Sequence, residues 1–324
     1  MIEVKHVRKT FKVARRNAGF AAAVKTLLHK QFETVEALKD ISFTIPDGEM
    51  VGYIGPNGAG KSSTIKIISG ILTPDSGECN INGYTPWKHR IQHVAQIGVV
   101  FGQRSQLWWD IPVIDSFELI KDIYRIPEST YRKNLQMLTD LLDISEILKT
   151  PTRQLSLGQR MRCEISASLL HNPKVLFLDE PTIGLDAVSK IAVREFIKNI
   201  NREQKTTVIL TTHDMQDIEA LTQRIILIGK GKILLDGHLE DLKNQYSDQK
   251  ELIISYSGKS PQLCHGLHII KQIPGRAELK IDTQVISVSK AISYLSEQTE
   301  LTDFSIKHTS TEEMVVKLYQ EFAI

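Results

Sequence analysis

The sequence predicts an α/β fold: a parallel sheet with helices on its faces, followed by a small α+β domain. Three observations predict it. Two wholly apolar runs ending in polar residues, 175-VLFLDEP-181 and 206-TTVILTTH-213, read as buried strands separated by a helical pattern. A glycine-rich stretch, 52-GYIGPNGAGKSSTI-65, joins a strand pattern to a helix pattern. Near 240–250 Lys, Asn, Gln, Ser and Asp dominate, and the pattern beyond is of a different kind.

In chain order, residues 2–13 alternate like an edge strand. Residues 14–35 break that alternation. Phe20, Val24, Leu27 and Leu28 fall at helical spacing among Arg15, Arg16, Lys25, His29 and Lys30, the pattern of a basic amphipathic helix. Strand signals return over 36–54, with a turn at Pro46-Asp47-Gly48, and an apolar helix pattern covers 62–71. Pro74–Gly77 is a turn before a short strand pair, with a hairpin signal at Asn82-Gly83. Residues 113–149 read as mostly helical, interrupted at Pro127, and 187–201 as a helix. In the tail, ELIISYS, LHIIKQI, AELKID and 303–307 read as strands, and 287–298 and 311–322 as helices.

Hydrophobic residues make up 41% of the 324-residue chain and charged residues 24%, which are the proportions of a globular protein. The formal net charge of +2 supplies no global basic footprint for nucleic acid. Cys79, Cys163 and Cys264 lie far apart in sequence, so they form no CxxC motif and point to reduced thiols. No window reaches the roughly 18 uninterrupted apolar residues of a membrane span, and MIEVKHVRKTFKV lacks a leader's apolar core. If the protein acts at a membrane, another chain must cross it.

Gly55-Pro56-Asn57-Gly58-Ala59-Gly60-Lys61-Ser62, followed by Ser63, matches GxxxxGK[ST] between a strand and a helix. Bare backbone there lets N–H groups turn inward around a phosphate chain, and the helix start adds partial positive charge. Lys61 would reach the β- and γ-phosphates, and Ser62 would offer its hydroxyl to Mg²⁺. Asp179 emerges at the carboxyl end of a buried strand, where such sheets hold ligands, and would orient Mg²⁺ through water. Glu180 would then act as general base on the attacking water. A glycine-rich turn with an incidental lysine and a solvated strand end are the bland alternatives. The strand–loop–helix context weighs against both.

A third element narrows this phosphate site. Residues 155-LSLGQR-160 precede a helix pattern and lie shortly before VLFLDEP. With the phosphate loop, Gln103 in VVFGQRSQ, the turn 184-GLDA-187 and His213 after a strand, they form an ordered set over roughly residues 1–238. The set resembles the ATP-binding subunits of ABC transporters, whose signature is LSGGQ.

The resemblance implies a P-loop NTPase core with a parallel sheet, an antiparallel β-subdomain and a helical subdomain at about 104–165. These sit in an ATP-binding domain of residues 1–238 carrying the inserted segment 14–35, with an accessory domain, regulatory or dimerising, at 239–324. It implies ATP and Mg²⁺ as cofactors. Gln103 would sense Mg²⁺ and the attacking water, and His213 would hydrogen-bond the γ-phosphate. Ser156, Gly158 and Gln159 would act in trans on ATP held by an opposite subunit, and Asp186 would lie at the dimer seam. Phe11 is the candidate for stacking on adenine. Leu157 replaces the signature's glycine and Ser63 stands where threonine is common; neither change removes a catalytic group.

The implied partners are an integral membrane permease and a second ATPase subunit, as homodimer or heterodimer, with no nucleic acid. The implied place is peripheral, on the cytoplasmic face of the cell membrane. Segment 14–35 would lie against a membrane or partner helix, or simply cover the β-subdomain. Trp108 or Trp109 would line the groove for a permease's coupling helix, while a core-packing role stays open for one of them. The branch paired with ABC-2-type export permeases is the nearest in pattern. The competing readings are a soluble ABC ATPase acting on ribosomes or DNA, and an ATP-gated module without turnover.

Overall fold

The computed structural model describes residues 1–14, 32–102, 105–245, 249–283, 285–307 and 310–322. They form two compact units, Met1–Asp236 and Gly237–Ala323. In the first unit the strands are β1 (Ile2–Ala14), β2 (Phe32–Ile45), β3 (Met50–Ile54), β4 (Ser76–Ile81), β5 (Ile97–Phe101), β6 (Val175–Asp179), β7 (Thr207–Thr211), β8 (Arg224–Gly229) and β9 (Lys232–His238). The helices are α1 (Lys61–Ile68), α2 (Arg90–Val94), α3 (Val113–Tyr124), α4 (Glu128–Leu142), α5 (Leu157–Leu169), α6 (Ala187–Gln204) and α7 (Met215–Leu221).

Six strands form one sheet in the order β5-β6-β7-β3-β8-β9. The five from β5 to β8 run parallel. Val175, Leu176, Phe177 and Leu178 are fully buried, which is why β6 carries no alternation. Lys230 and Gly231, with φ of 46° and 80°, make the two-residue turn that returns β8 into β9. Register places Phe101 beside Asp179 and Asp179 beside Thr211. The chain therefore leaves β5, β6, β7 and β3 along one carboxyl edge, where the phosphate loop and the segments bearing Glu180 and His213 start.

A second sheet has the order β2-β1-β4, antiparallel throughout. This corrects the reading of residues 2–13 as an edge strand: β1 is the centre strand, paired on both sides, and Ile2, Val4 and Val7 are buried. Of the amphipathic segment 14–35, residues 15–31 lie outside the described residues. Ala14 and Phe32–Val35 are strand rather than helix, because β1 and β2 stay paired as far as Ala14 and Phe32. The hairpin expected at Asn82-Gly83 closes with a single bridge, Ile81 to Tyr84, so β4 gains no long partner there. Pro112 and Pro127 sit at the N-caps of α3 and α4, which explains why the helical reading broke at Pro127.

The second unit holds α8 (Leu239–Gln245), β10 (Gln249–Ser257), β11 (Leu267–Ile273), β12 (Arg276–Asp282), α9 (Val288–Gln298), β13 (Glu300–Lys307) and α10 (Thr311–Glu321). Its antiparallel sheet has the order β11-β12-β10-β13. Leu252, Ile254, Leu279 and Ile281 pack with Ala291 and Leu295 of α9 to form its own core. Among the described residues, no helix is long and apolar enough to cross a membrane.

Candidate active site

The loop between β3 and α1 is shaped by two close approaches. A Cβ on Gly55 would stand 2.2 Å from the Ile228 carbonyl oxygen, and one on Gly60 2.8 Å from that of Ala37. Gly60 also has φ 116° and caps α1 without a side-chain hydrogen bond. The first amides of α1 are therefore left for an anionic ligand. Lys61 folds back over the loop: its Nζ donates to the Gly55 oxygen at 2.6 Å and the Pro56 oxygen at 3.2 Å. Burial lowers its pKa, and the charges of Glu180 and then Asp179 oppose that shift.

A cavity of about 300 Å³ opens beside this loop, lined by Ser62, Lys66, Ile71, Phe101, Gly102, Asp179 and Glu180. It brings together the hydroxyl and the carboxylate expected to hold a divalent cation, with the expected general base. Thr211 Oγ1 donates to Asp179 and orients it. The backbone then turns sharply. Glu180 has φ 56°, the left-handed region, and its amide donates to the Thr211 oxygen at 2.8 Å. Strain of this kind, of order 1–3 kcal/mol, persists where the surroundings fix it. It aims the side chain so that Glu180 Oε1 lies 3.0 Å from His213 Nε2.

The signature forms a separate cluster. Ser156 caps α5 in a reciprocal box: its Oγ accepts from the Gln159 amide at 3.2 Å, and Gln159 Oε1 accepts from the Ser156 amide at 2.9 Å. Gly158 is packed so closely that an added Cβ would meet Ser189 Oγ at 2.7 Å. Asp186 caps α6 and accepts from both the amide and the hydroxyl of Ser189, which hold its carboxyl below the ordinary range. Leu157, the departure from LSGGQ, reaches over Gly184; a Cβ there would sit 2.6 Å from Leu157 Cδ2. Ser156 and Gly158 do not line the cavity beside the phosphate loop.

Four further expected residues are Gln103, Phe11, Trp108 and Trp109. Gln103 lies outside the described residues. Phe11 is half-buried on β1, paired with Val35, with the Lys9 ammonium 5.7 Å from its ring centre; it does not line the cavity. Trp108 and Trp109 are 44% and 52% exposed, so neither is a core residue, and Leu107 is buried in their place.

Sequence reasoning missed the support behind Glu180 and His213. Asp217 is fully buried and accepts from Thr182, from Thr212 Oγ1 at 3.0 Å and from Arg194 Nε at 2.6 Å. Asp214 accepts from Lys190 Nζ at 2.5 Å. This network grips the chain two residues past Glu180 and on both flanks of His213. Its sequence signal was the second acid of 214-DMQD-217, in the first turn of a helix and on the buried face that it shares with Ile218 and Leu221. Asp217→Ala leaves the buried Thr182 and Thr212 hydroxyls without their acceptor and Arg194 with only Asp214 as an acid partner, and we expect about 2–4 kcal/mol of lost stability. A urea midpoint within experimental error of the parent's would show that the network is dispensable.

Fold and site together define a P-loop nucleotide-binding protein in which the LSLGQ segment caps a separate helix. The ABC transporter family profile matches residues 38–183. The ABC transporter ATP-binding protein NatA of Bacillus subtilis is 30% identical over 69% of this chain and 89% of its own length. The linearmycin resistance ATP-binding protein LnrL, from the same organism, is 30% identical over 83% of this chain and 87% of its own. Among solved structures, a dimeric ATP-binding cassette in a post-hydrolysis state, bound to ADP and Pi, superposes with a TM-score of 0.62. It is 27% identical and covers 74% of this chain and 99% of its own. The chain belongs to the ABC transporter family, as an ATP-binding subunit.

Proposed function

We propose that this chain hydrolyses ATP to power a membrane exporter whose permease is a separate protein. The observation that carries the reading is the division of the site. Ser62, Asp179 and Glu180 share one cavity, while Ser156 and Gly158 present a second set of donors elsewhere on the chain. Two copies closing head to tail would bring each signature onto the nucleotide of the other. Lys61 and the amides of residues 58–62 hold the β- and γ-phosphates, and Phe11 stacks on adenine. Ser62 and Asp179 are hard oxygen donors on one cavity wall, which suits Mg²⁺. When bound, Mg²⁺ neutralises charge developing on the phosphates.

Glu180 takes a proton from the attacking water, and His213, held against it, donates to the γ-phosphate. Gln103 reports the state of the site to the permease, and Asp186 lies at the seam between copies. The LnrL relative is named for resistance to a compound, which favours export over uptake. Residues 1–238 form the ATP-binding domain and 239–324 an accessory domain that regulates or dimerises, with the chain peripheral on the cytoplasmic face of the cell membrane. The rival reading, a soluble ATPase on DNA, wants a long coiled coil between phosphate loop and signature. The longest helix described there, α4, has 15 residues. Affinity purification of the tagged chain from detergent-solubilised membranes tests the proposal: a polytopic membrane protein is the expected companion, and ribosomal proteins or DNA in its place would refute it.

A further inference from the structure

Glu164 is a carboxylate in the middle of α5 with only 4% of its surface exposed, and the chemistry above makes no use of it. Ser105 Oγ donates to one of its oxygens, and the Gln106 amide donates to the other at 3.1 Å. The Leu107 amide in turn donates to Ser105 Oγ at 3.1 Å. In return, Gln106 Nε2 donates to the Glu164 backbone oxygen at 2.9 Å. One hydroxyl and one backbone amide, from adjacent residues 105 and 106, thus make a small nest of donors around a carboxylate on another element. Burial pushes the Glu164 pKa up, while the hydrogen bonds from Ser105 and the Gln106 amide hold it back. Next to the nest, Arg160 lies with its guanidinium carbon 5.9 Å from the Trp109 ring centre. Arg160 is in the first turn of the same helix that Ser156 caps.

We propose that Glu164 is a positioning residue, a clasp that ties the signature helix to the segment following Gln103, so that engagement of Ser156 and Gly158 displaces residues 105–109 with it. The inference rests on the two-copy reading above. A helix and a loop joined only by apolar contact could slide. Three hydrogen bonds on one buried residue make them move together, because parting them leaves a carboxylate without partners in a dry site.

The test uses the full chain carrying Glu180→Gln, to hold ATP, and Trp87→Phe, so that emission comes only from Trp108 and Trp109. Mg·ATP is the probe. Sedimentation reports dimer formation, and the emission maximum reports the 105–109 segment. In this parent, Mg·ATP is expected to produce both a dimer and a shift in emission. Adding Glu164→Gln, which keeps the shape but points an amide N–H₂ at the nest, leaves the dimer and reduces the shift to less than half. Ser105→Ala does the same from an exposed loop position that carries little folding risk. Ser105→Thr, which restores the hydroxyl, recovers the shift, an outcome that a loss of bulk stability would not produce. A full shift in both Glu164→Gln and Ser105→Ala, with the dimer intact, overturns the clasp alone. A parent that dimerises without any shift also overturns it. A parent that stays monomeric with Mg·ATP refutes the two-copy reading itself, and the clasp falls with it.

Discussion

Glu180→Gln is expected to lower ATP turnover by about 10²–10⁴-fold, the usual contribution of a positioned general base, while ATP still binds. Glu180 leaves β6 in the left-handed region, with its amide tied to Thr211 and its carboxylate 3.0 Å from His213. Glutamine keeps the size and the backbone turn but cannot accept a proton from water. The phosphate loop is untouched, so affinity for ATP holds within about threefold, under 1 kcal/mol. Phosphate release and equilibrium binding, measured on the same preparation, check both halves. Turnover within twofold of the parent would remove Glu180 from the role of base. Lost binding would make it a structural residue.

Lys61→Ala is expected to act the opposite way, through affinity. Lys61 is 7% exposed, and its ammonium lies across the Gly55 and Pro56 carbonyls of the loop proposed to hold the phosphates. Two charge-assisted hydrogen bonds at about 1.5–3 kcal/mol each imply ATP binding weaker by roughly 10²–10⁴-fold. Calorimetric titration with Mg·ATP is the check. An unchanged dissociation constant would mean that the loop binds phosphate through its backbone alone.

The sequence disclosed the parts of this molecule whose chemistry is local. Gly55–Ser62 is a contiguous run, and its meaning follows from the strand before it and the helix after it. Asp179 and Glu180 were legible because four fully buried residues precede them and can only be interior strand. The capping box at Ser156 and Gln159 was within reach of spacing rules as well.

What escaped notice depends on contacts between distant stretches. Asp217 is buried by Thr182, Arg194 and Thr212, and Glu164 by Ser105 and Gln106; no periodicity in either neighbourhood reveals the partner. Strand order escaped for the same reason. Residues 2–13 alternate as any half-buried strand does, and their place at the centre of a sheet is decided by β2 and β4. Residues 32–35 read as part of the basic amphipathic segment, a reading that the pairing of Phe11 with Val35 overrides.

The central claim is that one chain holds two incomplete half-sites. The most direct measurement is the ATPase rate per chain across a wide range of chain concentration at saturating Mg·ATP. The account predicts a rate per chain that rises with concentration at the dilute end and levels off once dimers predominate. A rate per chain that stays constant down to concentrations where sedimentation shows only monomer would contradict it.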